Sequence, residues 1–98
     1  MADAALDLVI RNALVATASD TFASDIGIRG GRIALLGGGL PAGRRGSDGA
    51  GRDVTPGGVD AHCHLDQPME GPAKMADDFL TGSPSAACGG TATIIPFA

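Results

Sequence analysis

The sequence predicts a chain of two parts, an all-β segment over residues 1–55 and a strand–helix–strand unit over residues 56–98. Three observations carry this. Short apolar runs with β-branched residues recur before residue 55, separated by turn residues. Pro56-Gly57-Gly58 then breaks the pattern. Beyond it a helix-forming stretch lies between two apolar runs, the repeating piece of a parallel α/β fold.

In the first part, Asp7–Arg11 and Leu14–Thr17 read as strands with Asn12-Ala13 as a tight turn between them. Such a turn wants φ > 0 at its second residue, so Ala13 is expected to be slightly strained or the turn to differ. Asp25–Arg29 alternates, Gly30-Gly31 supplies a two-residue hairpin turn, and Arg32–Leu36 returns. Residues 37–46 are rich in glycine and read as a loop. Arg44, Arg45 and Arg52, set among glycines with no interleaved aromatics, read as solvated loop residues. Arg52–Thr55 is a last short strand.

In the second part, Gly58–Leu65 reads as a strand and residues 66–76 as a loop holding Pro68, Gly71 and Pro72. Asp77-Asp78 suits a helix start, where carboxylates meet free N–H groups and the positive dipole end. The helix should end at Gly89-Gly90, with Thr91–Phe97 as the next strand. Pro84 would cost such a helix ~3 kcal/mol by removing one bond and crowding the carbonyl of Leu80. A break or kink near Gly82–Pro84 is therefore expected, with Ser83 as the alternative cap.

Composition narrows the function. The chain has 98 residues, 44% of them hydrophobic, with 16 glycines, no Trp or Tyr and a formal charge of −4. That charge argues against nucleic acid and against an anionic membrane as partner. No run approaches the ~18 apolar residues of a membrane span. Met1–Asp7 carries acids and no basic n-region, so a secretory signal is not expected. A cytoplasmic setting with reduced cysteines is the expectation.

The chemistry concentrates at Asp60-Ala61-His62-Cys63-His64, which holds both histidines of the chain. On an extended strand, the i, i+2 spacing puts both imidazoles on one face, with Asp60 on the same side and Cys63 opposite. Neutral imidazole is the commonest side-chain metal ligand. The pattern alone leaves metal ligation and a structural pair evenly balanced. Asp60 is placed either to orient a ligand histidine or to bond backbone. Asp66 reads as a loop-capping residue, and residues 67–76 as a mobile loop. Cys63 and Cys88 invite a mixed Cys/His zinc site, but the alternation favours small buried hydrophobes.

The strings Pro56-Gly57-Gly58-Val59-Asp60-Ala61-His62-Cys63-His64-Leu65-Asp66-Gln67-Pro68, Ala76-Asp77-Asp78-Phe79 and Ser85-Ala86-Ala87-Cys88-Gly89-Gly90-Thr91 closely resemble the start of dihydropyrimidinases and D-hydantoinases. These are cyclic amidohydrolases of the amidohydrolase superfamily. The resemblance implies an N-terminal β-sandwich half, then the first strand–helix–strand of a TIM-like (β/α)8 barrel, incomplete here because such a barrel needs about 250 residues. It implies two divalent metals, zinc as a rule, with His62 and His64 as the first-strand ligands. A bridging carboxylated lysine, two further histidines and an aspartate come from later strands in the family. Lys74, the sole lysine, lies ten residues after His64 and does not match that bridging position.

By the same resemblance, a metal-activated hydroxide opens the ring amide of a dihydropyrimidine or hydantoin, a small-molecule substrate. Full-length relatives are homo-oligomers, tetramers in this family. Allantoinase and dihydroorotase share the His-x-His strand and stay open as alternatives. A catalytically inactive remnant or interaction module is the other alternative, because two histidines alone hold an ion weakly. The isolated chain is expected to be inactive and to fold poorly.

Overall fold

The computed structural model describes residues 5–97, so residues 1–4 of the Met1–Asp7 stretch lie outside the described residues. It divides into two compact units, Met1–Pro56 and Gly57–Ala98. Among the described residues no helix is long and apolar enough to cross a membrane.

The first unit is one five-stranded sheet. Its strands are β1 (Leu8–Ala16), β2 (Thr21–Arg29), β3 (Arg32–Gly37), β4 (Arg45–Asp48) and β5 (Asp53–Val54). The order is β3-β2-β1-β4, with β5 pairing farther along β1. β1 is antiparallel to β2 and parallel to β4 and β5. Gly30 and Gly31, at φ 58° and 72°, make the β2–β3 turn, and Gly30 N–H donates to Asp7 Oδ2 at 2.7 Å. Both angles are those of the mirror-type turn that matches strand twist.

The Asn12-Ala13 turn does not form. β1 runs straight through it, and the chain reverses instead at residues 17–20, where Thr17 N–H donates to the Asp20 carbonyl at 2.8 Å. At Asn12 the strand carries a bulge. Ile10 pairs with Ile26 and Ala13 with Ser24, leaving Arg11 and Asn12 opposite Asp25 alone. Asn12 takes φ 57°, a conformation asparagine tolerates, so Ala13 bears no strain. Asp25 fastens the irregularity. Its Oδ1 accepts from Asn12 N–H at 3.0 Å and its Oδ2 from Arg11 Nη1 at 3.1 Å.

The bulge also decides the core. The extra residue lets Ile10 pack on the same cluster as Ala13 and Val15. Ile26, Phe22 and Ile28 close it from β2, and Val54 from β5. Arg45 belongs to β4 rather than to a loop, because Arg45 N–H donates to the Asp7 carbonyl at 3.0 Å.

The second unit holds β6 (Gly58–Cys63), α1 (Phe79–Cys88) and β7 (Thr91–Pro96), with β6 and β7 parallel. Asp78 is the N-cap of α1. Its Oδ1 accepts from Thr81 N–H at 2.8 Å, while Thr81 Oγ1 accepts from Asp78 N–H at 3.1 Å. This is a capping box with threonine in the usual glutamate place. The N–H of Thr81 is the main influence holding the Asp78 carboxyl below its ordinary range. Gly89 ends the helix and Gly90 follows at φ 88°.

Pro84 lies inside an unbroken helix, so neither the break nor the second start at Ser83 occurs. Leu80 and Pro84 are both exposed, which leaves the freed carbonyl to water rather than to a dry interior. Gly82 is the one buried residue of this unit among those described, closed over by the side chain of Leu65.

Burial is therefore unequal. The first unit buries Leu6, Val9, Ala13, Val15 and Ile26, whereas Val59, Ile95 and Phe97 of the second remain more than half exposed. Slow amide exchange follows buried contact density. Hydrogen-exchange mass spectrometry should find β1 and β2 the slowest segments and β6, α1 and β7 faster; equal protection would contradict the assignment of the core. Ile26→Ala, at a position 4% exposed, should cost about 2 kcal/mol or more by urea denaturation.

Asp25 gives a pH signature. The Asn12 N–H is the chief cause lowering its carboxyl below the ordinary value, with Arg11 adding to it. A folded-state value below the unfolded one contributes stability above the ordinary carboxylate range. That contribution disappears as pH falls through the folded-state value. Asp25→Ala should lower the urea midpoint at neutral pH, and the gap to wild type should close on acidification; a pH-independent gap would exclude this origin.

Candidate metal centre

β6 and β7 build the site through another irregular ladder. Asp60 pairs with Ile94 and Cys63 with Pro96, so Ala61 and His62 together stand opposite Ile95. The extra residue breaks the alternation. Asp60 accordingly does not share the face of the two histidines. It lines a small cavity with Cys63, Ile94 and the α1 residues Gly82 and Ala86. Its Oδ1 accepts from His62 backbone N–H at 3.0 Å, which is the backbone role of the two weighed for it.

His62 lies in the last part of β6, and His64 one residue beyond its end. Their rings converge. His62 Nε2 and His64 Nε2 are 3.1 Å apart, with ring centroids at 5.0 Å. Both rings are exposed. Phe97 packs against them, with centroids 5.9 Å from His62 and 5.4 Å from His64. The ladder brings Phe97 there, because Phe97 N–H donates to the Cys63 carbonyl at 2.8 Å.

Sequence reasoning missed Gln67. His64 Nδ1 is 2.6 Å from Gln67 Oε1. Asp66 makes the reach possible by turning the chain at φ 50°, and its N–H donates to the Asp77 carbonyl at 3.0 Å. The signal was present in principle: an amide three residues after a histidine, across an aspartate, can fold back on the ring.

The donor set fits a shared divalent ion. Two imidazole nitrogens on a tetrahedral zinc at ~2.0–2.1 Å stand about 3.3 Å apart, close to the separation of the two Nε2 atoms. Among the described residues no group of three His, Cys, Asp or Glu side chains gathers around a common point. Cys63 is half-buried and Cys88 is exposed, both are free thiols, and the expectation that both are buried is met only in part at Cys63 and fails at Cys88. Lys74 lines a separate cavity, between the loop that precedes α1 and the helix residue Thr81, with Asp66, Asp77 and Asp78.

No family model matches the chain. Individual proteins do. A D-hydantoinase of Ralstonia pickettii is 41% identical over 92 residues, 94% of this chain and 20% of that protein. One of Streptomyces coelicolor is 46% identical over 96 residues, covering 92% and 20%. An allantoinase of Enterococcus faecalis is 36% identical over 89 residues, covering 91% and 19%. Among solved structures, D-hydantoinase from Bacillus sp. AR9 superposes with a TM-score of 0.85 at 44% identity, over 93% of this chain and 20% of that one. Dihydropyrimidinase from Brevibacillus agri gives 0.83 at 42%, over 91% and 19%. The chain thus spans about a fifth of the length of the curated relatives it matches. The mostly β architecture, with a single short helix among the described residues, accords with the N-terminal β-sandwich portion of hydantoinase structures. Over that portion, sequence and backbone agree that these 98 residues are similar to the N-terminal portion of D-hydantoinases and dihydropyrimidinases.

Proposed function

We propose that these residues form the N-terminal part of a metal-dependent cyclic amidohydrolase, with β6, α1 and β7 as the opening of a (β/α)8 barrel. His62 and His64 are its first-strand ligands, each offering Nε2 to a divalent ion of a two-zinc centre. The single observation that carries this reading is the 3.1 Å approach of the two Nε2 atoms at the carboxyl end of β6. Catalytic sites of barrels gather at that end. When bound, the metal supplies Lewis acidity, activating water and polarising a ring carbonyl.

The chain's own residues do the holding. Phe97 packs against both imidazoles on one side. Asp60 fixes the main chain of His62 at the bulge. The remaining ligands and the substrate contacts belong to further polypeptide.

The relatives support one substrate class over another. Its D-hydantoinase relatives are 41–46% identical and the allantoinases 36%. That favours the ring amide of a hydantoin or dihydropyrimidine over allantoin. A second reading, a polypeptide without turnover of its own, has one observation in its favour: two ligands converge and no third accompanies them among the described residues. Catalytic zinc takes about three protein ligands and an open position.

Zinc titration of the 98-residue chain by calorimetry tests the ligand assignment. One weakly held ion per chain is expected, with affinity falling at least ~10-fold in either His62→Ala or His64→Ala. In parallel, hydantoin and dihydrouracil opening with added zinc should stay at the buffer rate for this chain and appear in a polypeptide that supplies the remaining ligands. Zinc binding indifferent to both substitutions would remove the proposal's basis.

A further inference from the structure

We infer that Gln67 is a positioning residue that locks His64 in its Nδ1–H tautomer, so that the Nε2 lone pair faces the cation position before any ion arrives. The inference rests on the metal-centre reading above and adds to it how one ligand is prepared.

A neutral imidazole carries one N–H, and its other nitrogen accepts. Gln67 Oε1 is an acceptor only, and it stands 2.6 Å from His64 Nδ1. The proton therefore belongs on Nδ1. Nε2 of His64 is left with its lone pair, directed at His62 Nε2 3.1 Å away. In the metal-free chain His62 must then donate from Nε2 and hold the opposite tautomer. The two histidines are thus unequal. His64 is preset for ligation, while His62 has to move its proton from Nε2 to Nδ1 when an ion binds. Ligating histidines commonly have their second nitrogen fixed by a carboxylate or a backbone carbonyl; here a side-chain amide from the following loop fills that place. The Asp66 turn at φ 50° and the Asp66–Asp77 bond bring Gln67 back to the His64 ring within four residues of chain.

Long-range proton–nitrogen NMR of the metal-free 98-residue chain, at about pH 8 where free imidazole is neutral, reads the tautomers directly. His64 is expected as Nδ1–H and His62 as Nε2–H. A spectrum with His64 as Nε2–H would overturn the inference, since it would mean that Gln67 presents its NH2 group to the ring. Gln67→Leu removes the acceptor and should leave His64 in a mixture of tautomers, with zinc affinity reduced ~10-fold or more. Gln67→Glu keeps an acceptor in place and should restore both the Nδ1–H signature and the affinity. Unchanged tautomer and affinity in Gln67→Leu would also overturn it. If Gln67→Leu fails to fold by circular dichroism, the wild-type spectrum and the glutamate variant still decide. A wild-type chain with His64 as Nδ1–H but no zinc affinity would sink the metal reading and not the tautomer assignment.

Discussion

Two of the register shifts in these sheets, one in β1 and one in β6, share a device: an aspartate carboxylate takes up the N–H of the bulge. In β1 the pair Arg11-Asn12 stands opposite Asp25, whose Oδ1 accepts from Asn12 N–H. In β6 the pair Ala61-His62 stands opposite Ile95, and Asp60 Oδ1 accepts from His62 N–H. A bulge disrupts the ladder locally and frees an amide. An unpaired amide is costly wherever water cannot reach it. The carboxylate gives that amide a partner and marks where the alternation of side chains changes sense. The packing of Ile10 on the core of the first unit and the facing of the two imidazoles in the second both involve those positions.

That device explains what the sequence disclosed and what it withheld. The elements whose signals are local were legible: the Gly30-Gly31 turn, the cap at Asp78, the stop at Gly89-Gly90, and the paired histidines near a strand end. A strict period of two was the wrong ruler for β1 and β6. It divided β1 into two strands because Asn12 looks like a turn residue, whereas left-handed asparagine serves a bulge equally well. It also put Asp60 beside the imidazoles, because nothing in one sequence marks Ala61-His62 as the point where the face switches. Pro84 misled in the other direction: a proline penalty is largest where the freed carbonyl is dry, and the Leu80–Pro84 face is wet.

The two units differ in what they can support alone. The first closes a cluster of Ala13, Val15 and Ile26 between three strands. The second is a two-stranded parallel pair with one helix, and the apolar side chains of Val59, Ile95 and Phe97 stay largely in water. Two strands are marginal without further cover. The two histidines are thus on the less buried unit, and their geometry is kept by local bonds rather than by a packed interior.

Those local bonds divide the work. Asp60 acts on the main chain of His62 and leaves its ring free to change tautomer, while Gln67 acts on the ring of His64 itself. Phe97 is delivered by the Phe97–Cys63 rung and lies against both imidazoles. One histidine is held through its backbone and the other through its side chain, with a shared aromatic wall. Such an arrangement sets the distance between two donors without a third ligand or a buried shell. It accounts for how an exposed pair of imidazoles can be ordered on a unit with almost no core.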